Sequence, residues 1–464
     1  GIKPLLGAEM TLEDASHLTL LIETAEGYAN LCRLITLARR DQEKGVAELR
    51  RSDLAAYVGG LIGLSGCRRG EISRLLMAGQ REQALGVARA YARLFGPGRF
   101  YVELQRHFRK GDDRLLARLV TLADQVGLDV VATGDVHYLH PPQREVHDVL
   151  RCIRHHTILE DAGDLLRPND EYVLRSPGEM AVLFSDIPIA LENTLYIADR
   201  CAPAFEYLPA GTQILPRAPI DGSDAPNFHL RRLCEGEMSR RYPANPPTDL
   251  LERELSVIQQ MGLANYFLIV WDIVRFARQA GILCQGRGSA ANSLVAYLLD
   301  ISPIDPVACD LVFERFLSPE RGSPPDIDID IAANRREEVI QYVYQRYGSE
   351  HAAMACTLVT FRARSAMRDV ARALGFPPPL VERLTGSCLE LLDLVRDGRI
   401  DGGDEEDTAI AEASRKIFDV LGVAQPAGRE INSGLFRHLL RLVPQLLGMP
   451  RHLGIHNGGM VISG

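Results

Sequence analysis

The chain has 464 residues and a mass of 51.3 kDa, which predicts about two to four domains rather than a single core. Hydrophobic residues make up 46% and charged residues 24%, and this balance excludes a disordered, collagen-like or coiled-coil protein. The net charge of −9 excludes a chain that is basic throughout, although a local nucleic-acid-binding surface is compatible with it.

The cysteine pattern and the apolar runs indicate the compartment. The nine cysteines contain no Cys-x-x-Cys pair, so neither a disulfide scaffold nor a zinc ribbon is indicated, and we expect a reducing cytoplasm. The longest apolar runs, such as residues 266–271, are much shorter than a membrane span, so we expect no membrane partner. The chain starts with Gly1 rather than Met, which we interpret as an internal piece of a longer protein.

The first two hundred residues alternate strand-like and helical patterns. Strands separated by crossover helices predict a parallel α/β layer or barrel. The predicted strands are 17–22, 60–65, 100–105 and 129–133, and the predicted helices include 27–39 and 115–125.

The remainder is predicted to begin with a linker at residues 203–247, which are rich in Pro, Asp, Gly and Asn. Mostly helical sequence follows as far as residue 447. The predicted elements are helices at 250–261 and 266–280, a Gly-rich turn at 286–289 leading to a helix that ends at 299, a strand at 327–331, a helix at 335–347 and a final loop entering a strand at 458–462.

The sharpest signal is the run Pro-Asp-Ile-Asp-Ile-Asp at residues 325–330. On a strand, Asp326, Asp328 and Asp330 share one face and the intervening isoleucines share the other. Three neighbouring carboxylates repel one another, and a pair of Mg²⁺ ions would neutralise them and serve phosphoryl chemistry. The alternative interpretation is a solvated edge strand.

A Gly-rich turn, Gly286-Arg287-Gly288-Ser289, precedes this strand. Glycines let backbone N–H groups approach phosphate oxygens, and Arg287 could add a bidentate contact. The turn is not a P-loop, and alone it is equally compatible with an ordinary helix start. Together with the acidic strand it indicates nucleotidyl transfer.

Arginines surround these motifs and suit contacts to triphosphate or to a nucleic-acid backbone. For any one of them, a surface ion pair with Glu337, Glu338 or Asp369 is an equally good interpretation. The arginines are Arg315, Arg321, Arg335, Arg336, Arg362, Arg364 and Arg368.

Three runs, 284–293, 313–321 and 325–330, resemble the palm of bacterial C-family DNA polymerases, the polymerase III alpha subunits. The sequences of residues 290–293 and 452–459 are most similar to those of the error-prone, DNA-damage-induced branch (DnaE-type, ImuC-like). The resemblance implies a template-directed DNA polymerase, in translesion synthesis, with a two-Mg²⁺ site.

Carried over by position, the resemblance makes Asp326 and Asp328 two of three catalytic carboxylates and metal ligands. It also implies that Gly288 and Ser289 bind the incoming triphosphate and that Arg315 and Arg321 contact its phosphates. The third carboxylate is expected beyond Gly464, so we expect the given chain to be incomplete for catalysis.

The first part resembles the family's PHP domain, a distorted (β/α)₇ barrel with a trinuclear metal site. The resemblance implies Zn²⁺ or Mn²⁺ there and either a 3′→5′ exonuclease or a degenerate scaffold. Carboxylate, imidazole and thiolate suit these metals, although Cys67 alone fits a buried thiol and His17 alone a hydrogen-bonded strand end. The matching positions are Glu9, His17, Cys67, Asp135 and His137.

The resulting expectation is an α/β multidomain protein: an amino-terminally truncated PHP barrel, then a polymerase-beta-like nucleotidyltransferase palm with a helical thumb insertion. The expected divisions are 1–205 (partial PHP domain), 206–357 (linker and palm), 358–446 (helical thumb) and 447–464 (truncated palm return segment).

The implied partners are primer–template DNA and deoxynucleoside triphosphates, with a sliding clamp and a translesion accessory protein binding through other regions. Three alternatives stay open: a PHP phosphoesterase whose palm only binds DNA, a non-catalytic scaffold, and a replicative rather than error-prone polymerase.

Overall fold

The computed structural model describes residues 2–40, 42–43, 45–201, 216–218, 225–317, 325, 327–389, 392 and 433–464. The chain divides into two compact units. The first unit comprises Gly1–Pro209 and Thr360–Arg451, and the second comprises Ala210–Val359 and His452–Gly464.

Strands and helices are numbered here along the described part of the chain. The strands are β1 (Gly7–Thr11), β2 (His17–Ile22), β3 (Leu61–Leu64), β4 (Phe100–Leu104), β5 (Asp129–Ala132), β6 (Cys284–Arg287), β7 (Asp328–Ile331), β8 (Ala352–Thr360) and β9 (Pro450–Ile462). The helices are α1 (Ala25–Arg39), α2 (Arg51–Ala56), α3 (Glu71–Met77), α4 (Arg81–Phe95), α5 (Asp112–Val126), α6 (Arg144–His155), α7 (Pro177–Leu183), α8 (Pro188–Arg200), α9 (Pro226–Arg241), α10 (Thr248–Gln260), α11 (Ala264–Gln279), α12 (Leu294–Leu298), α13 (Arg336–Tyr347), α14 (Ala363–Ala373), α15 (Pro378–Gly386) and α16 (Ser433–Leu446).

The first unit contains a five-stranded mixed sheet in the order β1-β2-β3-β4-β5. Strands β3, β4 and β5 run parallel, as predicted, whereas β1, β2 and β3 are antiparallel neighbours. The prediction of a parallel layer was therefore wrong for the first half of the sheet. The connection between β1 and β2 spans only residues 12–16, which is too short for the crossover that a parallel pair needs.

Both faces of this sheet are covered. Phe100, Val102 and Leu104 of β4 point to one face and join the large core built with α1, α4 and α5. Tyr101, between them, points to the other face and packs with Ile62. Burial on both faces explains why these strands read as continuous apolar runs rather than as alternating ones.

A second core in the first unit joins segments that are far apart in the chain. Helix α6 contributes Val149 and Cys152, both fully buried, and they pack in one cluster with residues of α14, α15 and α16. A helical region after residue 357 was predicted. Its packing against α6 was not, because amphipathic periodicity does not specify which partner covers the apolar face.

The second unit is built on α9 to α12, whose apolar faces form a single core. Strand β6 pairs with β7, and β8 pairs with β9. None of the described helices alone is long and apolar enough to span a membrane; helices α10 and α11 pass that test of length and composition only as a pair bent by 111°.

The structure corrects three of the predicted elements. The predicted linker contains helix α9, because Leu230, Cys234 and Met238 recur at four-residue spacing and are buried in the core. Strand β8 lies where helix was predicted; its carboxyl end is rich in β-branched residues, and the strand pairs with β9. The Gly-rich turn is the end of strand β6 followed by a 3-10 helix, Gly288–Asn292.

A buried carboxylate holds the helix that follows this segment. The Glu254 side chain of α10 has no exposed surface. It accepts hydrogen bonds from the Ser293 hydroxyl at 2.8 Å, the Leu294 N–H at 2.8 Å and the Val295 N–H at 3.0 Å. Burial raises the pKa of Glu254 to about 7, because it outweighs these stabilising hydrogen bonds.

Because the folded-state pKa of Glu254 lies above its usual 4.5, this residue stabilises the fold fully only below about pH 4.5. The contribution is lost progressively as pH rises from about 4.5 towards 7. We expect the melting temperature of Glu254→Gln, measured relative to that of the wild type, to increase as the pH is raised from 5 to 8. The control Glu252→Gln, on the exposed side of α10, should show no such trend.

Candidate metal and nucleotide sites

The acidic strand lies beside the Gly-rich segment in the second unit. In the antiparallel β6–β7 pair, Arg287 is opposite Asp328 and Gln285 is opposite Asp330. The side chains of Asp328 and Asp330 are 63% and 58% exposed, whereas Ile329 packs against the core. The predicted alternation is thus confirmed for these positions. Asp326 and Arg321 lie outside the described residues.

Arg287 lies between the two described carboxylates. Its Nε atom is 3.7 Å from Asp328 Oδ2 and 3.5 Å from Asp330 Oδ1. All three side chains are more than half exposed, so solvent screens these ion pairs and each is weak. The carboxylates therefore remain available to a divalent cation, and the guanidinium remains available to phosphate oxygens.

Two glycines are required where strand β6 ends. A Cβ atom on Gly286 would lie 2.6 Å from the Ile301 carbonyl oxygen, which also accepts the Gly286 N–H. Gly288 has φ +69°, in the left-handed region that favours glycine. Gly288 and half-exposed Ser289 directly follow Arg287, the partner of Asp328. The predicted neighbourhood of acidic strand and Gly-rich segment is confirmed.

The other predicted arginines differ in their surroundings. Arg315 is exposed on the 3-10 helix Phe313–Arg315, which packs against the 3-10 helix Gly288–Asn292. In the described part of the second unit, no ion pair joins Arg315 to Asp328. Arg335 pairs with Glu338 at 2.7 Å, so the surface-pair interpretation is confirmed for Arg335.

Tyr266, which the sequence analysis did not single out, fixes the backbone of the acidic strand. Its hydroxyl donates to the Pro325 carbonyl at 2.8 Å and accepts from the Ile327 N–H at 3.2 Å. These two residues flank position 326 in the chain. The only sequence signal was a tyrosine at the start of an apolar helical run, which is ordinary for a core helix.

We expect Tyr266→Phe to destabilise the second unit by about 1–2 kcal/mol, because a partly buried carbonyl and N–H lose their shared partner. Hydrogen exchange of the Ile327 amide should become faster. Tyr344→Phe is the matched control, since the Tyr344 hydroxyl accepts from the Met354 N–H. An Ile327 amide that exchanges equally in both variants would contradict this role for Tyr266.

Three of the five predicted PHP ligands come together in the first unit. Glu9 lies on β1, His17 begins β2 and Cys67 follows β3. His17 Nδ1 is 2.9 Å from Glu9 Oε1 and 3.7 Å from Cys67 Sγ, and the candidate ligand atoms all lie within 4.8 Å of one another. A carboxylate, an imidazole and a thiol in this arrangement fit Zn²⁺ or a similar transition metal.

The charge around Cys67 supports the same interpretation. Burial, together with the negative charges of Asp135, Glu9 and Glu103, raises the pKa of the Cys67 thiol to about 11. A thiol in an anionic pocket keeps its proton unless a cation is present. These residues would therefore bind a divalent cation with release of a proton.

The remaining two predicted ligands contact each other and an arginine. His137 Nε2 is 3.2 Å from Asp135 Oδ1. Arg167 Nη1 is 3.5 Å from Asp135 Oδ2, and Arg167 Nη2 contacts His137 Nε2. Burial acts to raise the pKa of Asp135, but the His137 hydrogen bond and the Arg167 charge outweigh it and lower the pKa. The Arg167 guanidinium also lies 4.4 Å from the centre of the Tyr172 ring.

Comparison with known proteins defines the class first. Residues 1–107 match the family described as PHP domain, and residues 228–464 match the bacterial DNA polymerase III alpha NTPase domain. The protein is thus a mixed α/β multidomain chain that combines a PHP and a polymerase domain. The chain belongs to the bacterial DNA polymerase III alpha family.

Its curated relatives carry a more specific name. It is 40% identical, over all of its length and 42% of the relative's, to an error-prone DNA polymerase of Symbiobacterium thermophilum. It is 42% identical to one of Nocardia farcinica, over 96% of its length and 37% of the relative's. It is 39% identical to one of Pseudomonas aeruginosa, over all of its length and 41% of the relative's. The chain thus spans about two fifths of the length of these relatives.

Proposed function

We propose that this protein is a template-directed DNA polymerase of the error-prone branch. The single observation that carries the proposal is the β6–β7 register, which sets Asp328 opposite Arg287, the residue that precedes Gly288 in the chain. Family membership and the relatives named error-prone DNA polymerase support it. These names favour the error-prone branch over a replicative polymerase.

The residues divide into carboxylates and phosphate contacts. Asp326 and Asp328 would hold Mg²⁺, which when bound supplies Lewis-acid stabilisation of the transferring phosphate. Gly288 and Ser289 would offer a close backbone approach to the triphosphate, and Arg321 together with the exposed Arg287 and Arg315 would pair with phosphate oxygens. Catalysis in this scheme is positioning and charge stabilisation, without a covalent enzyme intermediate.

The finer domain assignments are also proposals. We assign residues 1–205 to a PHP barrel, 206–357 to the linker and palm, 358–446 to a helical thumb and 447–464 to the palm return segment. The substrates would be primer–template DNA and deoxynucleoside triphosphates in the bacterial cytoplasm. A sliding clamp and a translesion accessory protein would be its protein partners.

The test replaces Asp328 by asparagine in the full-length protein. We expect primer extension to fall on the order of 10³-fold or more, as for loss of a group that stabilises transition-state charge directly. DNA affinity, measured by fluorescence anisotropy, should stay within about threefold, because phosphate contacts by arginine carry it.

Asp330→Asn is the matched control, since Asp330 lies on the same strand face and contacts the same arginine. It removes the same charge without removing a proposed catalytic carboxylate, so its loss of extension should be far smaller. Robust primer extension by Asp328→Asn would refute the assignment of the catalytic site.

A second candidate activity is metal-dependent phosphoester hydrolysis at the PHP site, with Zn²⁺ or Mn²⁺. The cluster of Glu9, His17 and Cys67 favours metal binding there. Arg167 supplies a protein cation to Asp135 and His137, which argues against a fully loaded trinuclear centre. Polymerisation is therefore the leading proposal.

Degradation of a labelled DNA 3′ end separates the two activities. We expect the full-length protein with Mn²⁺ or Zn²⁺ to give weak 3′-end degradation or none, and Asp135→Ala to leave primer extension unchanged. Strong degradation that Asp135→Ala abolishes would establish the PHP site as an exonuclease instead.

A further inference from the structure

Glu254 of α10 is a buried carboxylate to which neither the motifs nor the family resemblance assigned a role. Its side chain has no exposed surface. Replacing a buried charge by an apolar residue of similar volume is often neutral or stabilising. The charge of Glu254 is therefore better explained by the geometry that it imposes on its hydrogen-bond partners than by a gain in stability.

The chain between β6 and the residues that follow α12 forms a closed loop. The Gly286 N–H donates to the Ile301 carbonyl at 2.6 Å, and the Ile301 N–H donates to the Ala296 carbonyl at 2.9 Å. The end of β6 is thus held against the residues after α12. This loop contains the 3-10 helix Gly288–Asn292, on which the proposed triphosphate contacts lie.

Glu254 holds the same loop near its middle. Ser293 is the single residue between the 3-10 helix and α12. Glu254 Oε2 accepts from the Ser293 hydroxyl at 2.8 Å and from the Val295 N–H at 3.0 Å. Glu254 Oε1 accepts from the Leu294 N–H at 2.8 Å. The Ser293 hydroxyl accepts in turn from the Ala296 N–H at 3.1 Å, so both carboxylate oxygens and the serine belong to one network.

Gly288 and Ser289 lie between these two attachments. The carbonyl of Ala290, which is fully buried, accepts the Ser293 N–H at 3.3 Å. The Asn292 amide donates to the Ser289 carbonyl at 3.0 Å. A shift of Ser293 would therefore move Gly288 and Ser289 relative to β6, whose position is fixed by its pairing with β7.

A second contact joins α10 to a neighbouring phosphate-contact segment. Arg253, the residue before Glu254, pairs with Glu314 of the 3-10 helix Phe313–Arg315. The two side chains are 64% and 43% exposed, so solvent screens this pair and its contribution is small. The buried network of Glu254 is therefore the contact that sets the position of the loop.

We propose that Glu254 is a positioning residue for the incoming deoxynucleoside triphosphate, because through Ser293 it holds Gly288 and Ser289 where they can contact the phosphates. The inference rests on the proposed polymerase function. Glu254 itself would not touch the nucleotide, since its side chain is enclosed in the core. Its loss should weaken nucleotide binding more than the chemical step, because other contacts hold the acidic strand.

The test compares steady-state primer extension by the full-length protein with that of its Glu254→Gln variant. The amide has one acceptor oxygen, so at least one backbone N–H of residues 294–295 loses its acceptor. We expect the KM for the deoxynucleoside triphosphate to rise on the order of tenfold to a hundredfold, as for a small misplacement caused far from the chemistry. The kcat and the affinity for primer–template should each change by less than about threefold, as for a loss of nucleotide binding alone.

A double-mutant cycle tests whether Glu254 acts through Ser293. Ser293→Ala removes the hydroxyl and keeps the backbone. If the two residues form one network, the rise in KM of Glu254→Gln/Ser293→Ala should be smaller than the product of the two single rises. Full multiplication would overturn the proposed route. Glu252→Gln, on the exposed side of the same helix, is the matched control and should keep the wild-type KM.

A purely structural role for Glu254 would show differently. It predicts a lower melting temperature of Glu254→Gln with a wild-type KM at temperatures well below melting, and that result would overturn the inference. Should Glu254→Gln not fold, Ser293→Ala alone decides by the same KM.

Failure of the polymerase proposal is distinguishable from failure of this inference. If Asp328→Asn extends primers as well as the wild type, the proposed catalytic site is wrong and the inference falls with it. If Asp328→Asn loses extension while Glu254→Gln keeps the wild-type KM, the Glu254 inference alone is wrong.

Discussion

The antiparallel pairing of β6 with β7 is the constraint on which the functional interpretation of the second unit depends. A slip of one residue would turn Asp328 and Asp330 into the core and expose Ile329, because side chains alternate along a strand. Several contacts fix the register: Gly286 fits against the Ile301 carbonyl, and Tyr266 holds the backbone at Pro325 and Ile327. Buried Glu254 then orients the helix that leaves the Gly-rich segment.

Both candidate sites contain clustered carboxylates, but the two clusters differ in their exposure to solvent. Around Asp328 the acids are exposed, and Arg287 meets them through weak, screened pairs. In the PHP region Asp135 and Glu103 are largely buried while Glu9 is 45% exposed, and burial raises the pKa of both Glu103 and Cys67. A cation is therefore optional for the stability of the first site, whereas the second favours either protonation or a tightly held metal.

The sequence predicted the elements whose pattern is local. The strand at His17–Ile22, the helix at Ala25–Arg39 and the alternation around Asp328 were all recognised from periodicity. The antiparallel half of the first sheet and the pairing of β8 with β9 were missed, because strand partners are set by distant residues. A Pro- and Gly-rich composition also concealed helix α9, whose buried stripe is only three residues.

The same division holds for the sites. The resemblance to the PHP domain predicted that Glu9, His17 and Cys67 belong to one site, and the structure places their candidate ligand atoms within 4.8 Å of one another. Tyr266 and Arg167 could not be found in this way, since their partners Pro325 and His137 lie 59 and 30 positions away in the chain. Their importance comes from burial and hydrogen-bond geometry, which composition does not record.

The packing of α6 against α14, α15 and α16 makes the first unit discontinuous along the chain. Expressing residues 1–205 alone would strip the apolar side of α6 of its cover, including Val149 and Cys152. Such a fragment would expose an apolar surface to solvent and should be prone to aggregate. Any soluble version of the PHP region would need the later helices supplied, either in the same polypeptide or as a separate piece added in trans.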